Sequence, residues 1–161
     1  MPDFETQAFE RQVLKKLTAA DVEELTSFLR TADLTLSGLD DPTVRLWLLR
    51  DESGALIGST GFESSASGDD VIIRSVAVGV DSRGLGLGSR LASHAITEAR
   101  AQGARRAWLF SRRSGPFWQK LGFEPADRDE LAAALATTQQ VRLFVQSGQL
   151  QREVAWSRQL Q

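Results

Sequence analysis

The chain contains no cysteine and no tyrosine, and only one histidine and one methionine among its 161 residues. Without cysteine there can be no disulfide, zinc–thiolate site or thiol nucleophile. The single histidine, His94, leaves too little material for a transition-metal site or a Ser-His-Asp arrangement. Neither sign of charge dominates: 19 Lys and Arg stand against 21 Asp and Glu, a net charge of -2. A nucleic-acid surface normally requires a clustered basic excess, so no nucleic-acid partner is expected. No apolar run approaches the ~20 residues needed to cross a bilayer, so no membrane partner is expected either. The first residues, Met1-Pro2-Asp3-Phe4-Glu5, are acidic and lack the basic and apolar regions of a secretory signal. These absences point to a cytoplasmic, metal-free protein.

What is present fits one globular domain over 1–161, with residues 1–10 as a loosely held extension. Hydrophobic residues make up 42% and charged residues 25%, the balance of an ordinary packed domain. Residues 12–17 alternate weakly and predict a first strand. Thr18-Ala19-Ala20-Asp21 predicts a capped helix start, followed by Val22, Leu25, Phe28 and Leu29 at helical spacing. That helix is expected to end near Ala32. Residues 45–63 read as a hairpin about the turn Asp51-Glu52-Ser53-Gly54. Val71 to Val80 has the character of a central strand. A helix is expected from Gly84–Gly88 to Gln102, then a strand at 107–110, a short helix at 117–121, an alanine-rich helix at 127–137 and a last strand at 154–160. The pattern predicts an α/β fold: a mixed, mostly antiparallel sheet with helices on both faces.

The chemistry concentrates at Val76-Ala77-Val78-Gly79-Val80-Asp81-Ser82-Arg83-Gly84-Leu85-Gly86-Leu87-Gly88-Ser89. A buried strand passes through a turn into a helix whose start carries three alternating glycines. The first amides of a helix have no internal partners and point outward, and the helix dipole adds partial positive charge there. Glycines remove the Cβ atoms that would hold a diphosphate away, and Arg83 adds a charged donor. The spacing fits neither the G-x-G-x-x-G dinucleotide fingerprint nor a P-loop, since no lysine lies between Lys16 and Lys120. On these residues alone, the alternative is a glycine-rich turn with no ligand.

Arg83-Gly84-Leu85-Gly86-Leu87-Gly88 resembles the R/Q-x-x-G-x-G/A signature of the GNAT (GCN5-related) N-acetyltransferases. About 30 residues later, Phe117-Trp118-Gln119-Lys120-Leu121-Gly122-Phe123 resembles that superfamily's second landmark, F-Y/F-x-x-x-G-F. The resemblance implies acetyl-CoA as cosubstrate, bound in a V-shaped opening between the strand at 71–80 and the strand at 106–111. It implies that Val76, Ala77 and Val78 hold the pantetheine arm through their backbone. It also implies that Arg83, Gly84, Leu85, Gly86, Leu87, Gly88 and Ser89 hold the diphosphate, with Phe117 beside them. The implied activity is direct attack of a small primary amine on the thioester, with backbone stabilisation of the oxyanion. Homodimers are common in the superfamily. A narrower resemblance, carried by Leu39-Asp40-Asp41, Gly61-Phe62-Glu63, Ile73 to Val78 and Phe117 to Arg128, is to arsenic-resistance and short amino-acid N-acetyltransferases. It implies an acceptor bearing an α-amine and a carboxylate.

Where many members of the superfamily carry a tyrosine acid this chain has Trp118, and where many carry a glutamate base it has Ile72. Ser111, Ser114 or water is left as the proton donor. Glu63 is the candidate base or water-holder, or else a solvated carboxylate at a strand end. Alternation along the strand predicts Arg74 on the face of Ile72, Val76 and Val78. There it would bind a substrate carboxylate or form a structural ion pair. Arg112 and Arg113 read as partners for phosphates or as a solvated loop edge, His94 as a surface residue, and Trp47, Trp108 and Trp156 as core or interface aromatics. The departures Trp118 and Ile72 also admit a catalytically silent acyl-CoA sensor or assembly partner. A protein or peptide N-acetyltransferase is the third reading.

Overall fold

A computed structural model describes residues 12–160; the extension expected at residues 1–10 lies outside them. Within these residues seven strands form one sheet: β1 (Val13–Lys16), β2 (Val44–Arg50), β3 (Leu56–Ser64), β4 (Asp70–Val78), β5 (Arg106–Phe110), β6 (Glu124–Ala126) and β7 (Ala155–Gln159). Their spatial order is β1-β2-β3-β4-β5-β7-β6. Only β4 and β5 run parallel; every other pair is antiparallel.

Among the described residues, five α-helices cover the two faces: α1 (Val22–Thr31), α2 (Leu87–Ala101), α3 (Gly115–Lys120), α4 (Arg128–Ala134) and α5 (Gln139–Ser147). α1 follows a short 3-10 turn that Asp21 caps by accepting from the Thr18 backbone N–H (3.0 Å) and hydroxyl (2.8 Å). Its Leu25 and Leu29 pack on Leu46, Leu48 and Ala77. On the opposite face, α2 sets Ala92, Ala95, Ile96 and Ala99 against Phe62, Val71, Ile73 and Leu109. Ile72 and Trp108 return to the first face, under Leu131 of α4 and Val141 of α5. Small residues along α2 let it lie close to the sheet, and Gly61 does the same for β2 and β3. A Cβ on Gly61 would collide with the Arg45 carbonyl oxygen.

The register shifts at Leu49/Arg50 between β2 and β3, and again between β3 and β4 beside the point where β4 leaves β5. Ser59 of β3 faces Ala77 and Gly61 faces Arg74, so two residues of β4, Ser75 and Val76, stand opposite Thr60 alone. This is a β-bulge, with Ser75 at φ 62. The extra residue reverses the side-chain parity. Val76 and Val78 turn toward α2, Leu87 and Leu91, whereas Arg74 stays with Ile72 and Ala77 on the other face. The placement of Arg74 beside Val76 and Val78 expected from alternation is thereby corrected.

Three further differences have local causes. The helix after the glycine loop begins at Leu87, because Gly84 (φ 88) and Gly86 (φ 74) are left-handed. The alanine-rich helix stops at Ala134, and Thr138 then caps a further helix, α5, by accepting from Val141 N–H. His94 is not a free surface residue: its ring stands edge-on to Trp47, centroids 4.9 Å apart, and burial holds its pKa below the ordinary value.

Two expectations follow. Gly61→Ala should lower the unfolding free energy by about 1–3 kcal/mol in denaturant titration, because the added methyl overpacks β2. For His94, the folded pKa lies below the unfolded value of about 6.5, so its contribution is complete above that pH and shrinks as pH falls through it. Thermal melts at pH 7.5 and about 5.5 should show a larger drop for the wild type than for His94→Gln.

Candidate active site

β4 and β5 are paired only from Asp70–Ile72 to Arg106–Trp108. Beyond Ile72 the strands part, and the β5-facing edge of β4 has no neighbouring strand. A cavity of about 470 Å³ opens there, walled by Ile73, Val76 and Val78 on one side and Leu109, Phe110 and Trp118 on the other. A second cavity of about 240 Å³ lies over the glycine loop and shares Val78, Arg83, Gly88 and Phe117 with the first. The two form one continuous crevice.

The floor of the smaller cavity is the start of α2. Gly86 is the N-cap residue, no side chain caps the helix, and no acidic residue occupies its first turn. The free first-turn amides therefore face the crevice without an internal acceptor. Leu85 is half-buried and packs toward Leu87 and Leu91, anchoring the loop while its glycines stay open. A Cβ on Gly88 would rest 3.5 Å from the Phe117 ring, which stands edge-on to Trp118 at 4.9 Å. Arg83 is exposed at the mouth, its Nε 3.4 Å from the Val78 carbonyl. This donor set suits a diphosphate: several neutral N–H groups, one guanidinium and no competing carboxylate.

Ser111 borders the larger cavity at the end of β5. Its hydroxyl oxygen accepts from Ser114 N–H (3.1 Å), which leaves the hydroxyl proton free to be donated. Its carbonyl accepts from Trp156 Nε1 (2.9 Å), so this tryptophan braces the site. Trp108, in the last paired rung of β4 and β5, donates back to Asp70 in the first (2.8 Å).

Glu63 and Arg74 are brought together, both buried. Arg74 NH1 donates to Glu63 Oε2 at 2.9 Å, with 0% and 2% of their side chains exposed. Glu63 also accepts from the backbone N–H of Gln139 (2.6 Å) and Gln140 (3.1 Å), the first amides of α5. The carboxylate therefore serves a helix N-terminus and a guanidinium together. It is not the solvated strand-end carboxylate that the sequence also allowed. Arg74 completes its contacts with Ser75 Oγ (3.3 Å) and the Thr35 carbonyl (3.4 Å). Burial pushes its pKa down, and the Glu63 charge opposes that shift.

Sequence reasoning missed the far wall of the cavity, formed by Leu34, Thr35 and Gln140. Gln140 Nε2 donates to Thr35 Oγ1 (3.1 Å), and Gln139 Nε2 donates to Asp41 Oδ2 (2.7 Å). Asp41 is held below the usual carboxylate range chiefly by the Thr43 backbone N–H. Thr138 followed by Val141 and Phe144 was the available signal for α5. Arg112 meets Glu153 (3.4 Å) and does not line either cavity. Among the described residues, no cluster of His, Asp and Glu could hold a metal, and no helix is long and apolar enough to cross a membrane.

The sequence pattern of the acetyltransferase (GNAT) family matches residues 6–123. The chain belongs to the GNAT family. Its fold matches a GNAT-family acetyltransferase from Staphylococcus aureus Mu50 with a TM-score of 0.71 and 14% identity, covering 93% of this chain and 99% of that one. It is similar to a Mycobacterium tuberculosis protein in complex with CoA, with a TM-score of 0.72, 17% identity, and 92% and 99% coverage. N-acetylglutamate synthase from Neisseria gonorrhoeae, complexed with coenzyme A and N-acetyl-glutamate, aligns with a TM-score of 0.71 at 20% identity. That match covers 93% of this chain but only 35% of the synthase, so the chain spans about a third of the synthase's length. A sequence search of curated proteins finds no match. The family assignment agrees with the mixed, mostly antiparallel seven-stranded sheet.

The central ion pair of this GNAT domain generates a stability expectation. Glu63→Gln leaves a buried guanidinium uncompensated and should cost about 3–5 kcal/mol in denaturant titration. Adding Arg74→Met to Glu63→Gln should recover part of that loss, because the unpaired charge is gone while the amide oxygen can still accept from the first amides of α5.

Proposed function

We propose that this GNAT domain transfers an acetyl group from acetyl-CoA to a small primary amine. The observation that carries the reading is the open first turn of α2, with its glycine-rich approach, running without a break into the cleft between β4 and β5. Bound acetyl-CoA would supply an acetyl group already activated as a thioester. The amides of residues 84–89 and Arg83 hold the diphosphate, and the free β4 edge at Val76, Ala77 and Val78 aligns the arm. Phe117 closes the crevice from the side of α3.

The remaining demands fall on protons. An amine with a pKa near 10.4 is neutral only about once in a thousand molecules at pH 7, whereas one near 8 is neutral roughly once in ten. An α-amine or other weakly basic amine therefore needs little help. Ser111 holds a proton on Oγ at the cleft, where it can be donated to a leaving thiolate. We assign Glu63 to building the cleft, because its oxygens are committed to Arg74 and the α5 amides, and we leave amine deprotonation to water. The same pairing occupies Arg74, so the proposal does not use Arg74 as a receiver for a substrate carboxylate.

Among the described residues no uncommitted carboxylate lines the cleft, which favours one alternative, a protein that binds acyl-CoA and transfers nothing. Thiol release with a panel of amines separates the two, since a pure binder would release no CoA above background. Binding itself is tested by calorimetric titration of acetyl-CoA. The wild type should bind saturably, and Gly86→Trp, folded by circular dichroism, should not bind. Arg83→Glu, at an exposed position, should weaken binding by about tenfold or more. Absence of acetyl-CoA binding to the wild type by calorimetry and by competition would overturn the reading.

A further inference from the structure

Ser75 is a non-glycine residue held at φ 62 in the middle of a central strand. Left-handed backbone is costly for an ordinary residue and persists only where its surroundings enforce it. Because two residues of β4 face one of β3, the bulge also removes one carbonyl from the regular ladder. A side chain meets both demands. Ser59, fully buried in β3, donates its hydroxyl to the Ser75 carbonyl at 2.6 Å. The next residue, Thr60, is equally buried, but its hydroxyl goes to the Leu91 carbonyl of α2 at 2.8 Å and makes no bond to the bulge. Two adjacent buried hydroxyls thus serve different partners, and only one reaches β4.

We infer that Ser59 is a positioning residue for the cosubstrate's arm: by locking the Ser75 bulge, it sets the direction of the β4 edge at Val76–Val78 as β4 leaves β5. Ser59 lies outside both cavities and acts only through Ser75. The inference rests on the acetyl-CoA reading above. Its consequence is specific. Loosening the bulge disturbs the edge that aligns the arm, but not the glycine loop at Gly84 to Ser89, which is held by its own helix start.

The experiment compares CoA with ADP, which carries the diphosphate without the arm, by titration and competition on wild type, Ser59→Ala and Thr60→Val. Ser59→Ala should weaken CoA by about tenfold while ADP stays within about twofold of wild type. Thr60→Val, which removes a buried hydroxyl bond of similar length, should leave the ratio of CoA to ADP affinity unchanged. If Ser59→Ala does not fold, Ser59→Cys takes its place; its weak S–H donor should produce a smaller loss in the same direction. CoA affinity unchanged in the serine variant, or CoA and ADP weakened equally, overturns the inference and leaves the acetyl-CoA reading standing. A wild type that binds neither ligand overturns both.

Discussion

β4 has one residue more than its partner strand can match, and the site is organised around that mismatch. A strand with regular alternation would carry Arg74 and Val76 on one face. The bulge at Ser75 separates them. The apolar residues Val76 and Val78 turn to α2 and the glycine loop, and the guanidinium turns to α5. The same irregularity lies just past the last rung shared with β5, where the sheet divides into a cleft. A backbone edge without a neighbouring strand is a liability on a protein surface and an asset in a binding crevice, where a ligand can complete its hydrogen bonds.

The Glu63–Arg74 pair holds the other side of the cleft. Two buried charges are costly to desolvate, and here the cost is offset by partners on several elements. Glu63 lies in β3, Arg74 in β4, the two amides at the head of α5, and the Thr35 carbonyl in the loop after α1. A carboxylate at a helix N-terminus is favoured by the helix dipole as well as by the hydrogen bonds. The pair consequently fixes where α5 begins, and so where Gln140 meets Thr35. Membership of the GNAT family accounts for the glycine-rich wall of the crevice. The far wall, with Leu34, Thr35 and Gln140, is built by residues outside the two motifs.

The elements legible in the sequence were those whose cause is local. The α1 stripe of Leu25 and Leu29, the Asp51 turn, the glycines before Leu87 and the short helix with Phe117 and Trp118 each depend on residues within a few positions. Ser75 gave no such signal, because serine is ordinary in strands and the bulge exists only relative to β3. Glu63 was recognised as notable, but its partners Gln139 and Gln140 lie 76 and 77 residues further on. α5 was missed because the alanine-rich stretch before it read as one helix, and the Thr138 cap that divides them was passed over.

The sequence by itself determined the family, the mixed sheet with helices on both faces, and the glycine-rich helix start, because backbone freedom and unpaired helix amides are properties of short segments. Only the tertiary structure decided the face of Arg74, the partners of Glu63 and the far wall of the cleft. Each depends on register between strands or on contact between distant elements. A one-residue slip at Ser75 was enough to move a guanidinium from one side of the sheet to the other.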